Sequence, residues 1–374
     1  MQKEIFRTKN YWRNVDKHIF LSFLLLFVLG IFFSFSSTSF LADERLDKDY
    51  YFFFQKHLLY ALVSFSLMIF VSTINSDLIN KILIPVFFFF LLLLILVPFV
   101  GVEVKGAKRW LNLYIFRIQP IEFVKPFLIL VIAQIITSDH IKNLKSSHLI
   151  SFILLSIVTF LLLIQPDLGQ TVLIISTWIS LIFVSGLNIF FLFMILAFAI
   201  LAFFILLYIA PDKFSYIITR LTSFMDPTKS EYSQSQKAIE AIKQGGLKGQ
   251  GMGEGILKES VPEAHTDYII AVVSEEFGSI VSILIIIIFL FIAFRIIKKA
   301  VNFSSNFYKL SLSGLTSLLI FQTFIHVGVN ANLLPTTGMT LPFLSYGGSS
   351  LLSSGIVAGI ILNYTSLAEK INDK

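Results

Sequence analysis

The chain has 374 residues, of which 56% are hydrophobic and only 14% are charged, and its formal net charge is +6. A soluble domain carries roughly 25% charged residues, so the composition argues against a soluble protein and indicates a polytopic helical membrane protein. The lack of cysteine excludes disulfides, thiolate metal sites and a cysteine nucleophile, and no basic tail or motif points to nucleic acid.

Apolar runs, taken in chain order, predict about ten membrane-spanning helices. A helix of about 20 apolar residues crosses a bilayer, and its backbone hydrogen bonds must be closed inside the membrane. The predicted spans are 18–40, 56–75, 80–100, 120–138, 148–165, 167–186, 188–210, 267–297, 308–331 and 345–365. The basic start of the chain resembles a signal peptide, but the many later spans indicate an uncleaved first helix.

The placement of Lys and Arg predicts the orientation of the spans. The total number of Lys and Arg residues does not decide the orientation, because 14 of them fall on each side of the membrane and Lys125 lies within a span. The outer basic residues are concentrated in loops 101–118 and 211–266, whereas inner ones flank spans, as at Arg295 and Lys299. We therefore expect cytoplasmic N- and C-termini and one long extracytoplasmic loop between helices 7 and 8.

The long loop 211–266 contains two distinct segments. Residues 233–243 (SQSQKAIEAIK) have the pattern of a short amphipathic helix. Residues 245–255 (GGLKGQGMGEG) are rich in glycine, which predicts a loop or tight turns. Two interpretations stay open for them: a flexible linker, or backbone amides that approach a phosphate or a sugar.

Ionisable residues inside spans are functional candidates because they are costly in a membrane. Glu122 and Lys125 are three residues apart on one predicted helix and can pair, either as a packing ion pair or in catalysis. Asp167, directly after Pro166, can cap the sixth span.

A second group of carboxylates lies in the predicted span 267–297. Glu275 and Glu276 are eight and nine residues past Asp267, so a continuous helix places them about 12–14 Å deeper. We expect them to bind basic side chains of neighbouring helices, with Lys125 as a candidate.

Residues 332–350 (NLLPTTGMTLPFLSYGGSS) interrupt the helical pattern with prolines and glycines. The segment either allows close helix packing or lines a cavity. In the span before it, His326 is expected to be a hydrogen-bonded packing histidine.

The stretch 259–278 (ESVPEAHTDYIIAVVSEEFG) joins the long loop to a hydrophobic helix. Thr266 or Asp267 can cap a helix that begins at Tyr268. An aspartate at a helix N-terminus is stabilised as the anion, which favours a base over an acid. A membrane-embedded enzyme with a general base and a transporter with a substrate-binding carboxylate both fit this pattern.

Six motifs in order resemble the SEDS family, the FtsW/RodA proteins. They are GAKRWL (106–111), IQPIEFVKP (118–126), QPDLGQT (165–171), GGLKGQGMGEG (245–255), PEAHTDYIIAVVSEEFG (262–278) and LPFLSYGGSS (341–350). Their spacing and the ten-helix plan match from the first span to the last. Ala264 resembles the division branch of the family, since the elongation branch usually has arginine there.

The resemblance implies a peptidoglycan glycosyltransferase that polymerises lipid II at the outer face of the bacterial cytoplasmic (inner) membrane during septal synthesis. It implies a single membrane domain at 18–366, with short cytoplasmic tails at 1–17 and 367–374. A class B penicillin-binding protein, which is a transpeptidase, and other divisome proteins are the expected partners. The alternatives are a lipid II flippase, an elongation polymerase, or a scaffold with structural carboxylates.

The resemblance also implies the site residues. The catalytic residue is Asp267; the substrate-binding residues are Lys108, Arg109, Trp110, Lys248, Glu259 and His265; the structural or coupling residues are Glu122, Lys125, Asp167, Glu275 and Glu276. Asp267 is expected to accept the proton of the acceptor 4-hydroxyl while basic residues stabilise the leaving pyrophosphate. Trp110 either stacks on a sugar or anchors the loop at the membrane interface.

The sequence indicates no organic cofactor, although a pyrophosphate often brings Mg²⁺ or Mn²⁺. Glu263, His265 and Asp267 alternate and would face one way in an extended segment. Their spacing is a weak metal signature, so the metal requirement stays open.

Overall fold

A computed structural model of the protein describes residues 11–46, 51–104, 106–113, 116–138, 144–187, 234–255 and 264–372, together with separate helical residues between 190 and 224. Within these residues the helices are α1 (Tyr11–Asn14), α2 (Lys17–Leu46), α3 (Phe52–Thr73), α4 (Ser76–Val100), α5 (Pro120–Ile136), α6 (Leu144–Ile164), α7 (Leu168–Val184), α8 (Gln234–Gly245), α9 (Ile269–Phe277), α10 (Ser279–Val301), α11 (Asn306–Asn330) and α12 (Gly348–Asn372). The predicted helical architecture is confirmed, and the amphipathic segment 233–243 corresponds to α8.

Seven helices in the described part of the chain are long and apolar enough to cross a membrane. They are Lys17–Ser37, Phe52–Thr73, Ser76–Val100, Ser146–Ile164, Ser279–Val301, Asn306–Asn330 and Gly348–Leu367. The apolar helices α5 and α7 are shorter, with 17 residues each. Together these helices confirm a multi-pass membrane protein and account for the predicted spans except two: 188–210 lies largely outside the described residues, and 267–297 is divided between two helices.

The predicted continuous span 267–297 is wrong, because the chain turns at Gly278 between α9 and α10. Gly278 has φ +85°, which favours glycine. The hydroxyls of Ser274 and Ser282 are 2.7 Å apart, whereas eight residues along a straight helix cover about 12 Å. Helix α9 therefore does not continue the direction of α10.

The two glutamates precede this turn and lie near the end of α9, beside α2. The Ser36 hydroxyl donates a hydrogen bond to Glu276 Oε2. Both glutamates belong to α9 (Ile269–Phe277), so the turn at Gly278 leaves their predicted separation of about 12–14 Å from Asp267 along the helix unchanged.

Small residues bring α3 and α12 into close contact. A Cβ built on Gly355 would lie 2.4 Å from the Ser64 carbonyl oxygen, and one on Gly359 would lie 2.8 Å from the Met68 carbonyl oxygen. Neither position has room for a side chain, so the backbones approach as they do in membrane helix pairs with small residues.

Polar contacts show which helix ends share a face of the bundle. At the start of α2, Asp16 pairs with Arg295 (3.2 Å) and Lys299 (2.9 Å) at the end of α10. Burial acts to raise the pKa of Asp16, but hydrogen bonds from Lys299 and the Ile19 amide, with the two nearby positive charges, lower it below the usual value. The start of α2 and residues 295–299 thus lie on one side of the bundle.

We call this side the opposite face, and the other the site face. The site face carries the starts of α5, α7 and α12, the end of α11, and a three-stranded antiparallel sheet between α4 and α5 in the chain. The strands are β1 (Val102–Val104), β2 (Ala107–Asn112) and β3 (Arg117–Ile118). The sheet gives the described residues of loop 101–118 a regular structure.

Candidate active site

Asp267 lies in the turn that precedes α9, on the site face. The helix begins at Ile269 with Tyr268 as its N-cap, and Tyr268 makes no side-chain capping hydrogen bond. The predicted cap at Thr266 or Asp267 is therefore wrong, since the helix starts one residue later than expected. The Asp267 side chain is partly exposed, so it can meet a substrate.

Arg109 reaches the same region from strand β2. Its Nε donates to the Gln165 carbonyl oxygen (3.2 Å) and its Nη2 donates to the Pro166 carbonyl oxygen. Nε also lies 3.8 Å from Asp167 Oδ2, and the two side chains are 16% and 4% exposed. These contacts fix the guanidinium at the start of α7.

Gly338 marks the point at which Asp267 and Arg109 meet. A methyl group built on Gly338 would lie 3.6 Å from Asp267 Oδ2 and 4.0 Å from Arg109 Nη1. Both charged groups therefore lie within 4.0 Å of one point, although they are far apart in sequence. An acceptor for protons and a fixed positive charge thus approach one point beside the Gly338 backbone, and we call the space around this point the Gly338 crevice.

Asp167 has the capping role that its position predicted. Its Oδ1 accepts a hydrogen bond from the Gln170 amide (3.3 Å) at the start of α7, while Gln119 Nε2 donates to Oδ2 (3.3 Å). Asp167 is buried, and it also faces Arg109. It therefore joins the cap of α7 to the crevice.

The neighbours of Arg109 on β2 face the other way. Side chains alternate along a strand, so Lys108 and Trp110 share the face that Arg109 does not. Lys108 is exposed and Trp110 is half-buried. The structure thus separates the three predicted substrate-binding residues of this strand into two surfaces, and only Arg109 joins Asp267.

The glycine-rich segment 245–255 wraps around the C-terminal end of α9. The amides of Gln250 and Gly251 donate to the carbonyl oxygens of Glu275 and Glu276, both at 2.9 Å. These amides complete a helix end and are not available to a phosphate or sugar. Lys248 in this segment is exposed and is separated from Asp267 by the length of α9, about 13 Å.

The predicted pair of Glu122 and Lys125 is confirmed within α5. Lys125 Nζ lies 3.0 Å from Glu122 Oε2, and both side chains are at most 5% exposed. Gln170 donates to Glu122 Oε1 (2.7 Å), and Lys125 donates to Gln322 Oε1 (3.5 Å). The expectation that Lys125 binds Glu275 or Glu276 is wrong, because these contacts engage it elsewhere.

Glu275 and Glu276 are almost completely buried, at 0% and 1% exposure. Glu276 accepts from Ser36 of α2. A Cβ built on Gly255 would lie 3.1 Å from Glu275 Oε2, so the glycine-rich segment covers this carboxylate directly. The pair thus lies at the junction of α2, α9 and that segment.

His265 packs at the edge of the site. Its ring lies 5.4 Å from the Phe53 ring and 5.5 Å from the Tyr346 ring, between centroids, and its carbonyl oxygen accepts from the Tyr346 amide (2.9 Å). It therefore joins the turn before α9 to the segment before α12. Glu259 and Glu263 lie outside the described residues, and those that are described contain no cluster of three or more metal-ligating His, Asp or Glu.

Sequence reasoning identified His326 in α11 but missed Gln322 and Asn330 on the same helix. Gln322, His326 and Asn330 recur every four residues in an otherwise apolar span, and this spacing places them on one helix face. His326 Nδ1 is 2.8 Å from the Met339 carbonyl oxygen, which confirms the predicted hydrogen-bonded packing role. The period of four was the signal that could have linked this helix to the site.

Comparison with known proteins identifies relatives that match almost the whole chain. The family described as "Cell cycle protein", which covers FtsW, RodA and SpoVE, matches residues 16–370. The "Probable peptidoglycan glycosyltransferase FtsW" of Caulobacter vibrioides is 34% identical over 356 residues, or 94% of this chain and 89% of that protein. The protein of the same description from Geobacter sp. is 33% identical over 94% of this chain and 96% of its own.

Two solved structures share the fold. A chain from a peptidoglycan synthase complex aligns with a TM-score of 0.76 at 24% identity, over 95% of this chain and 98% of that one. The rod shape determining protein RodA of Thermus thermophilus aligns with a TM-score of 0.70 at 24% identity, over 95% of this chain and 97% of that one. The helical arrangement described above is thus one that membrane proteins of known structure adopt.

Proposed function

The chain belongs to the FtsW/RodA/SpoVE family of cell cycle proteins, and we infer that it is a peptidoglycan glycosyltransferase that polymerises lipid II into glycan strands during septal cell-wall synthesis. Relatives that are one third identical over nearly the full chain carry that activity in their names. The observation in the structure that best supports the proposal is the Gly338 crevice, where a carboxylate and a guanidinium converge.

In the proposed reaction, Asp267 acts as the general base. Its carboxylate accepts the proton of the 4-hydroxyl of the acceptor sugar as that oxygen forms a bond to the anomeric carbon of the donor. The bond from that carbon to the lipid pyrophosphate breaks, and the configuration inverts. The products are a glycan chain longer by one disaccharide, a lipid pyrophosphate and a protonated Asp267 that returns its proton to water.

Arg109 is proposed to stabilise the charge that develops on the leaving pyrophosphate. Two of its nitrogens already bind the carbonyl oxygens of residues 165 and 166, so the group is positioned before substrate arrives. Fixed donors of this kind contribute most when they meet charge that forms only in the transition state. Asp167 offsets part of the positive charge and holds its orientation.

The flippase alternative needs a polar path across the bundle, and the described contacts do not favour it. Glu122 and Lys125 are closed in a buried ion pair with two glutamines. Glu275 and Glu276 lie elsewhere, near the end of α9, where Glu276 binds Ser36 of α2. The two groups that were to form the path therefore have separate partners.

We further propose that the site face is extracytoplasmic and that the protein resides in the cytoplasmic membrane at the division septum. A class B penicillin-binding protein would then cross-link the strands that this chain makes. A related fold occurs in a peptidoglycan synthase complex, which supports the pairing. Midcell localisation of a tagged copy tests the septal assignment, and localisation along the side wall would contradict it.

The decisive experiment is polymerisation of purified lipid II by the reconstituted protein, with and without its transpeptidase partner. Asp267→Asn is expected to lower the rate by at least about 100-fold, the lower range for loss of general base catalysis. Asp77→Asn is the matched control, because Asp77 is exposed in the first turn of α4 on the opposite face. Wild-type polymerisation by Asp267→Asn would remove Asp267 from the mechanism.

A further inference from the structure

Helix α11 carries three buried polar side chains on one face. Gln322, His326 and Asn330 are four residues apart and are 5%, 1% and 0% exposed. Burial of such groups in an apolar span is costly unless they form hydrogen bonds. Their partners therefore indicate what this face of α11 holds in place.

The first two residues hold the segment that forms one wall of the crevice. Gln322 Nε2 donates to the Thr340 carbonyl oxygen (3.0 Å), and His326 Nδ1 lies 2.8 Å from the Met339 carbonyl oxygen. These carbonyls follow Gly338 directly in the chain. The wall at Gly338 is thus attached to α11 through backbone contacts.

The third residue, Asn330, holds the opposite wall. Its Nδ2 donates to the Asp267 carbonyl oxygen (3.0 Å), and its Oδ1 accepts from the Ala271 amide (3.1 Å). Nδ2 also donates to the His326 carbonyl oxygen (2.8 Å) on its own helix. One side chain therefore bridges the turn at Asp267, the first turn of α9, and the end of α11.

This clamp replaces the helix cap that the sequence led us to expect. The N-cap Tyr268 gives α9 no side-chain hydrogen bond, so the start of α9 depends on a neighbouring helix. Asn330 fixes the carbonyl group of Asp267 itself and the first turn of α9 that follows it, so it restrains the backbone from which the carboxylate projects. The same helix fixes Gly338, so both walls keep one spacing.

We propose that Asn330 is a positioning residue for Asp267: it sets the direction of the carboxylate in the Gly338 crevice without contact with the reacting atoms. The proposal rests on the proposed role of Asp267 as the base. Misplacement of a catalytic group by about 1 Å can cost about 100-fold in rate. Loss of the clamp should therefore lower kcat far more than it changes KM.

The test compares Asn330→Leu with Asn363→Leu. Asn363 is the matched control because it is also 0% exposed and also clamps backbone: it donates to the carbonyl oxygens of Ser72 and Ile74 and accepts from Ser76. It lies on the opposite face, remote from Asp267. Both changes remove a buried amide of the same size, so loss of structure alone affects both.

Rates are measured per folded protein on purified lipid II, across pH. We expect Asn330→Leu to lower kcat by about 10- to 100-fold, with KM within about threefold and the acid limb of the pH–rate profile displaced. Asn363→Leu should lower thermal stability and leave kcat and the pH profile at wild-type values. A second variant, Asn330→Asp, keeps an acceptor for the Ala271 amide and should lose less kcat than Asn330→Leu.

Wild-type kcat and pH profile in both Asn330 variants would overturn the proposal, as would a loss equal to that of Asn363→Leu. Failure of the underlying function is a separate result. It would appear as wild-type polymerisation by Asp267→Asn, whatever the Asn330 variants do. A selective loss in the Asn330 variants together with an inactive Asp267→Asn supports both assignments.

Discussion

Replacement of Gly338 by alanine tests whether the Gly338 crevice is the place of reaction. The new methyl group would lie 3.6 Å from Asp267 Oδ2 and 4.0 Å from Arg109 Nη1, which is ordinary van der Waals contact. It should therefore displace neither side chain. It would, however, occupy space between the two charged groups, where the proposed mechanism places the acceptor hydroxyl and the pyrophosphate.

The substitution has a second effect, which can be separated from the first. Gly338 has φ +70°, and an L-residue in a left-handed conformation costs about 1–2 kcal/mol. Gly186 at the end of α7 is the matched control, with φ +92° and nothing within 4 Å of an added Cβ. Gly186→Ala should show the same strain with no group in the crevice.

We expect both variants to lose about 1–2 kcal/mol of stability, and only Gly338→Ala to lose activity. A tenfold lower kcat/KM, which corresponds to about 1.4 kcal/mol, is the expected size for Gly338→Ala, and Gly338→Val should lose more. The assay is lipid II polymerisation in proteoliposomes, with thermal unfolding measured in parallel. If both Gly338 variants polymerise as fast as Gly186→Ala, the crevice is not the site.

Three further outcomes follow from the contacts. Arg109→Lys keeps the positive charge but loses the guanidinium that binds two carbonyl oxygens, so the polymerisation rate should fall at least about tenfold. An unchanged rate would show that the positive charge alone is sufficient. Lys125→Met leaves Glu122 buried without its ion-pair partner and should lower the free energy of unfolding by about 3–5 kcal/mol. The double variant that also carries Glu122→Gln should lose clearly less stability. Equal losses in the single and double variants would contradict a buried ion pair. The lowered pKa of Asp16 contributes stability that is present above the unfolded pKa of 3.8 and is lost as pH falls through the lower folded pKa. Asp16→Asn should therefore be less stable than wild type at pH 7, and the stabilities of the two proteins should converge below pH 3.8. A stability difference that persists in acid would refute the assignment.

The sequence predicted the local features that depend on neighbouring residues. Apolar runs predicted the spans, the spacing of Glu122 and Lys125 predicted their ion pair, and the position of Asp167 before an apolar run predicted a helix cap. Each follows from helix geometry over a few residues, so no tertiary information was needed.

The missed features depend on tertiary contacts or on a single backbone angle. Nothing in the sequence around Gly278 distinguishes a glycine tolerated within a helix from one at a turn, so two helices were predicted as one. The convergence of Arg109 and Asp267 depends on which face of β2 points inward, and the strand itself was not predicted. The roles of Gln322 and Asn330 depend on backbone carbonyls and amides of distant segments, which a sequence pattern does not identify.

The first membrane helix, α2, is attached to the rest of the bundle at two points. Asp16 joins its start to the end of α10, and Ser36, within the helix, binds Glu276 just before the turn between α9 and α10. Helix α2 therefore connects the end of α10 to the end of α9. An unrelated signal-anchor helix in its place would restore membrane insertion and topology. It would, however, lack the Ser36 hydroxyl that binds Glu276 just before the turn at Gly278.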